Sequence, residues 1–143
     1  MATAVTSNQL LTKVALRVFK FDPDATSETE ISWVAMRDFA NFAATFARTV
    51  GTSAVTFAIN CATDSSGTGS VAVLAHAVGS EPDAIDDQIH LEVTHEQIRE
   101  VLATATHVSA IVSVATGTDE GSIVYQRGGA KHIVDGLTAD IVA

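Results

Sequence analysis

Histidine and glutamate side chains near residues 90–95 have the types needed to bind a metal ion. His90 and Glu92 are two residues apart in an alternating stretch, so they share one face of a predicted strand, and His95 follows shortly after. Zinc sites need several ligands that converge from separate positions. Because this spacing is common in strands, we interpret the three residues as a solvated strand face and expect no metal.

Acidic residues upstream of this stretch suggest calcium as a second candidate metal ion. Asp83, Asp86 and Asp87 lie in the loop between residues 78 and 88. A calcium-binding loop alternates its oxygen ligands regularly and contains a glycine at its sharp turn. This loop has neither feature, so the sequence favours a solvated acidic loop.

Motifs for nucleophilic catalysis and phosphate binding are also absent. Serine residues occur in Ser65-Ser66-Gly67, but the sequence contains no Gly-x-Ser-x-Gly. The Gly67-Thr68-Gly69 run opens a predicted strand, whereas a phosphate-binding loop opens a helix. We therefore expect no cofactor and no enzymatic activity.

Charge and cysteine content narrow the classes of partner. The net charge is −9, from 17 acidic and 8 basic residues, and the basic residues are scattered. Nucleic-acid binding requires clustered basic residues, so nucleic acid and anionic membranes are not expected partners. Cys61 is the single cysteine and occupies the apolar side of a predicted strand, so we expect an inert core thiol. We see neither a signal peptide nor an apolar run of about 20 residues, and expect synthesis in the cytoplasm.

A hairpin over residues 53–77 organises the predicted fold. Val55, Phe57, Ile59 and Cys61 alternate with smaller or polar residues, and alternation resumes at Val71 after a polar tip. Further strands are predicted over residues 12–21, 31–36, 89–93, 108–116 and 122–126, with a break at 127–130.

Residues 37–50 are ambiguous. Phe39, Phe42 and Phe46 fit a helical spacing, whereas Phe42, Ala44 and Phe46 fit a strand. We favour a strand that Gly51-Thr52 turns directly into the hairpin, because neighbouring segments are strands and a hairpin is the shortest connection.

One short helix is predicted near residues 95–104. Thr94 and Gln97 form a capping box before the apolar stripe of Ile98, Val101 and Leu102. The fold class is therefore all-β, a β-sandwich or jelly roll of about seven to nine strands with this one helix. Residues 1–12 are predicted to be a flexible arm, residues 13–143 a single domain, and residues 128–143 its extended C-terminal segment.

The overall composition and order of segments in this sequence resemble those of small virion proteins of tailed bacteriophages. It consists of Ala-, Val- and Thr-rich strands, a polar start, an acidic loop before Ile89-His90-Leu91-Glu92-Val93 and the ending Gly136-Leu137-Thr138-Ala139-Asp140-Ile141. More narrowly, the chain resembles a jelly-roll capsid cement, or decoration, protein as in Bordetella phage. This resemblance implies a protein on the virion exterior that binds the major capsid protein, bridges capsomers and forms a homodimer or homotrimer.

Under this resemblance the two ends of the chain are the expected contact segments, and loops around Asp83 and Asp119 are lesser candidates. The interface residues predicted from these ends are Val5, Leu10, Leu11, Arg127, Lys131, Ile133, Leu137 and Ile141. Two alternatives stay open: a tail or head-completion ring protein, and a small carbohydrate- or ligand-binding module. The second is disfavoured because only Trp33 and Tyr125 could offer polar-tipped stacking surfaces.

Overall fold

A computed structural model describes residues 14–21, 29–30, 32–76 and 84–130. In this part of the chain, nine strands and one helix follow in order: β1 (Ala15–Phe21), β2 (Thr29–Glu30), β3 (Val34–Ala35), β4 (Asn41–Val50), β5 (Val55–Ala62), β6 (Val71–Ala75), β7 (Gln88–Thr94), α1 (His95–Val101), β8 (His107–Val114) and β9 (Glu120–Gly128). Within these ranges no helix has the length and apolar character to cross a bilayer.

The strands form two antiparallel sheets. Sheet A has the order β1-β9-β4-β7, and sheet B has the order β2-β8-β5-β6, with β3 also paired to β8. The pairing is nested: the first strand pairs with the last, β2 and β3 with β8, β4 with β7, and β5 with β6. This arrangement is a long hairpin folded over on itself, which is the jelly roll. The predicted all-β fold is therefore confirmed.

The core lies between the inward faces of the two sheets. Phe42, Ala44 and Phe46 of β4 face Phe57 and other residues of sheet B, as their period of two requires. The ring centroids of Phe46 and Phe57 are 6.1 Å apart, and Phe46 also meets Phe21 edge-on at 5.8 Å. Burial of these aromatic rings, together with the Val, Ile and Ala residues of the core, holds sheet A against sheet B.

A buried hydroxyl links the two sheets. The Ala110 amide of β8 lies at the break between β2 and β3, and it donates to Tyr125 Oη at 2.6 Å. Tyr125 Oη also hydrogen-bonds Ser109 Oγ at 3.2 Å. An aromatic side chain of sheet A therefore satisfies a backbone donor that the interrupted ladder of sheet B leaves open.

The ambiguous segment is a strand, as predicted, but its connection is not a hairpin. Residues 41–50 form β4 in sheet A, whereas the next strand, β5, belongs to sheet B. The Gly51 turn, with φ of 88°, carries the chain across the core. The expectation of a direct β4–β5 hairpin is wrong because the inward faces of both strands are apolar, and two apolar faces pack across a sandwich.

Several predicted boundaries also differ. The strand expected over 31–36 contains only Val34–Ala35, and β9 continues to Gly128, where Gly128 pairs with Asn41. Helix α1 ends at Val101 because Leu102 is already extended, with φ of −141°. Its capping box is present as predicted: Gln97 N donates to Thr94 Oγ1 at 3.2 Å, and Thr94 N donates to Gln97 Oε1 at 2.9 Å. The arm 1–12 and residues 131–143 lie outside the described residues.

Candidate functional site

The histidine and glutamate residues considered for metal binding do not converge. His90 Nδ1 lies 2.8 Å from Thr45 Oγ1 on the outer face of sheet A, and His95 Nδ1 lies 3.2 Å from the Phe39 carbonyl oxygen. Glu92 is exposed. Among the described residues, no three His, Cys, Asp or Glu side chains are arranged to hold a metal ion.

The acidic and glycine-rich loops have their own structural partners. Asp87 Oδ2 accepts a hydrogen bond from Ala84 N at 3.0 Å, and the Asp86 backbone is left-handed, with φ of 73°. Asp83 lies outside the described residues. In the hairpin tip, Asp64 Oδ1 accepts hydrogen bonds from Ser66 N at 2.9 Å and Thr68 N at 3.1 Å, so this carboxylate organises the turn. Hydrogen bonds from Thr68 and then Ser66 lower the pKa of Asp64.

The sequence analysis missed a buried ion pair at the end of the sandwich opposite α1. Arg48 Nη1 donates to Asp119 Oδ2 at 2.8 Å, and the two side chains are 0% and 5% exposed. Ser53 donates to the same carboxylate through its hydroxyl and, at 3.0 Å, its amide. Burial alone would raise the pKa of Asp119, but hydrogen bonds from Ser53 and Arg48 outweigh it and hold that pKa below its ordinary value.

Asp119 lies in a loop that the sequence analysis names as a lesser candidate for contact with a capsid. Its carboxylate points inward to Arg48 and Ser53, so it fixes the β8–β9 turn against the β4–β5 turn. The Ser53 hydroxyl donates to the Asp119 carboxylate, which Arg48 also holds, and the Ser53 carbonyl oxygen accepts from Arg48. We interpret the cluster as structural. Its only sequence signal was the single charged residue of β4, Arg48.

Among the predicted interface residues, Arg127 is the one that the structure describes. Its guanidinium lies 4.7 Å from the centre of the Phe39 ring, and Nη1 donates to the Ala35 carbonyl oxygen at 3.1 Å. Arg127 therefore ties β9 to the segment after β3. The seven other predicted interface residues lie outside the described residues: Val5, Leu10, Leu11, Lys131, Ile133, Leu137 and Ile141.

The aromatic residues considered for sugar stacking differ in exposure. Tyr125 is 1% exposed and lies between the rings of Phe19 and Phe42, at 4.8 and 5.0 Å. It therefore offers no surface to a ligand. Trp33 is half-buried and packs against the turn at Gly67. A Cβ added at Gly67 would lie 2.6 Å from Trp33 Nε1.

A groove with mixed polar and apolar walls lies between β6 and α1. Its walls are formed by Val73, Leu74, Val93, Gln97, Glu100 and Val101, around an open space of about 200 Å³. Leu74 is 38% exposed and Val101 is 42% exposed. Strand β6 contains no charged residue and has β5 as its single partner among the described strands.

Both described ends of the domain lie at the end of the sandwich that carries α1. Ala15 pairs with Arg127, and Gly128 pairs with Asn41, which pairs in turn with Thr94, the N-cap of α1. The described chain therefore begins and ends at the same end of the sandwich, the one that carries α1.

Comparisons with known proteins give fold-level likenesses. No family model matches the chain, and no curated protein matches it. The empty particles of cowpea mosaic virus contain a chain with 8% identity and a TM-score of 0.49, over 85% of this chain and 88% of that one. The SPBc2 prophage-derived protein YomS has 14% identity and a TM-score of 0.38, over 79% and 93%. The VP2 subviral particle of infectious bursal disease virus has 14% identity and a TM-score of 0.43, over 82% of this chain and 33% of VP2. The strand order assigns the jelly roll independently of these likenesses.

Proposed function

We propose that this chain is a structural virion protein that binds the outer surface of a phage capsid and stabilises the shell by bridging capsomers. The observation that carries the proposal is a jelly-roll domain whose described chain begins and ends at one end of the sandwich. A compact domain whose two terminal segments start at one end can bind a surface through that end. Both segments can then contact neighbouring subunits. The resemblance of this sequence to phage cement proteins supports the same function.

The physical basis of such stabilisation is linkage. A protein that binds only the assembled shell shifts the equilibrium toward that shell by mass action. Many identical copies act together through multivalency, since each bridge holds two capsomers at a high effective concentration. The rigid core of the sandwich makes the bridge stiff, and segments 1–12 and 128–143 are the proposed contacts with the major capsid protein.

The proposal is tested by co-sedimentation of the purified chain with expanded, DNA-free shells of the phage that encodes it. We expect saturable binding, and shells that resist heat better when the protein is bound. Deletion of residues 1–12 should weaken binding at least tenfold. The matched control carries the same 12 residues in scrambled order, which keeps length and composition and removes the specific contacts.

Two results would overturn the proposal. A closed ring of subunits that ignores shells would assign the chain to the tail or to head completion, where subunits contact one another head to tail. A chain that binds no shell but binds glycans would assign it to the ligand-binding class.

A further inference from the structure

We infer that residues 33–36 form a strap on the edge of sheet B, which opens and closes while the two sheets remain packed. The contact between Trp33 and the turn at Gly67 is the latch that holds this strap closed. The inference concerns a local motion of the free chain, so it goes beyond the proposed function and is independent of shell binding.

The strap has a short attachment to its neighbouring strand. Within the strap, β3 pairs with β8 through two residues, Val34 with Val108 and Ala35 with His107. The other edge of β8 pairs with β5 through eight residues, from His107 to Val114. Because local opening is easiest where few interactions hold a segment, β3 can separate from β8 while β8 remains in the sheet.

A buried hydroxyl keeps the edge of β8 satisfied beside the strap. Met36 N donates to Thr106 O at 2.9 Å, and alternation along an antiparallel strand directs the backbone groups of every second residue of β8 to this edge. The Val108 groups face the strap, whereas the Ala110 amide donates to Tyr125 Oη at 2.6 Å. Tyr125 belongs to sheet A and is 1% exposed, so opening of the strap leaves the hydrogen bond of Ala110 intact.

The latch joins the strap to an element outside its own ladder. The indole of Trp33 lies so close to the tip of the β5–β6 hairpin that a Cβ added at Gly67 would be 2.6 Å from Nε1 and 2.8 Å from Cε2. The tip is organised without the strap, since Asp64 Oδ1 accepts hydrogen bonds from Ser66 N and Thr68 N. The indole therefore packs on a preformed surface, and a side chain added at Gly67 displaces it.

The opposite end of the strap is anchored, which places the hinge there. Met36 is 2% exposed, and Arg127 Nη1 donates to the Ala35 carbonyl oxygen at 3.1 Å. Trp33 is half-buried and therefore partly solvated in the closed state. Opening proceeds from Trp33 toward Met36, and Val34, which is 4% exposed, is the core side chain that becomes solvated.

The closed strap has a protective role. Exposed backbone groups at a sheet edge can pair with other chains, and proteins commonly cover such edges. The strap covers β8 at Val108, and the Tyr125 hydroxyl satisfies Ala110 beside it. The latch therefore controls when the edge of β8 at Val108 becomes accessible.

Native-state hydrogen exchange of the full chain, measured by NMR at low concentrations of denaturant, tests the inference. We expect the protection factor of the Val108 amide to be about tenfold lower than that of the Ala110 amide. Exchange at Val108 should be nearly independent of denaturant because a local opening exposes little surface, whereas exchange at Ala110 should follow global unfolding. This comparison is made within the parent chain, so it does not depend on the folding of any variant.

Two glycine variants test the latch. Gly67→Ala places a methyl group against Trp33 and should lower the protection factor of Val108 by a further factor of about ten. The matched control is Gly69→Ala in the same turn. Gly69 has φ of 67°, compared with 79° for Gly67, but a Cβ added at Gly69 would meet no atom within 4 Å. The control imposes the same kind of backbone strain and should leave the protection of Val108 unchanged.

Fluorescence gives a second measurement of the latch, because Trp33 is the single tryptophan of the chain. Gly67→Ala should shift the emission of Trp33 to longer wavelength and increase its quenching by acrylamide, while the circular dichroism spectrum keeps its β-sheet signal. Gly69→Ala should change neither property. The inference is overturned if Val108 and Ala110 both exchange only through global unfolding. It is also overturned if the two glycine variants change Val108 protection and Trp33 fluorescence equally.

Discussion

At the scale of residues, the buried pair of Arg48 and Asp119 is the strongest polar feature of the described fold. Removing one partner of a buried ion pair leaves the other charge desolvated, which costs about 3–5 kcal/mol. We therefore expect Asp119→Asn to lower the free energy of unfolding by about 3 kcal/mol in urea titrations. The matched control is Glu120→Gln, because Glu120 meets Lys20 at 3.8 Å with both side chains partly solvated. It should cost less than about 1 kcal/mol, and an equal loss in both variants would contradict the assigned role of Asp119.

The same carboxylate predicts a pH dependence. Asp119 has a lower pKa in the folded state than in the unfolded chain, so the unfolded chain binds its proton more tightly. The stabilisation from Asp119 is therefore fully present above the unfolded pKa of about 3.9 and is lost as pH falls through the lower folded pKa. The difference in unfolding free energy between the parent chain and Asp119→Asn should stay constant from pH 6 to about pH 5 and shrink as pH falls below about 3.9. A difference that stays constant below about pH 3.9 as well would show that the lost stability is not electrostatic.

At the scale of elements, the turn between β4 and β5 determines whether the chain crosses from sheet A to sheet B. Gly51 has φ of 88°, and an added Cβ would lie 1.9 Å from Asp119 Oδ1. Gly69 has a similar φ of 67°, but an added Cβ would meet no atom within 4 Å. Both glycines therefore have a left-handed backbone, which is strained for any residue with a Cβ, but their steric surroundings differ.

Gly51→Ala and Gly69→Ala should therefore differ in stability. We expect Gly69→Ala to cost about 1 kcal/mol from backbone strain alone. Gly51→Ala should cost about 2 kcal/mol more, since it also separates Asp119 from Arg48 and Ser53. Thermal and urea unfolding measure both values. Similar losses for the two variants would show that the Asp119 contact contributes little to the turn.

At the scale of the whole molecule, the rate at which the Cys61 thiol is modified measures how often the sandwich opens. Its side chain is fully buried between the sheets, and burial raises the pKa of the thiol. We expect an aromatic disulfide reagent to leave Cys61 unmodified in native buffer and to react fully in denaturant, at a rate that follows global unfolding. The control is Ser65→Cys in a Cys61→Ala background, because Ser65 lies on the exposed hairpin tip and should react at once. Rapid labelling of native Cys61 would show that the core opens locally.

The sequence by itself determined the local features of this protein. Alternation of apolar residues predicted the strands, Thr94 and Gln97 predicted the start of the helix, and the position of Cys61 predicted a buried thiol. These features depend on side chains a few residues apart, so their physical causes are visible in the chain itself.

Tertiary structure alone decided which strands are partners. The nested pairing, the crossing from β4 to β5 and the open groove beside β6 depend on which apolar faces meet across the core. The ion pair of Arg48 and Asp119 joins residues 71 positions apart. An alternating pattern specifies that one face is buried but does not specify what buries it, so that ion pair does not follow from sequence periodicity.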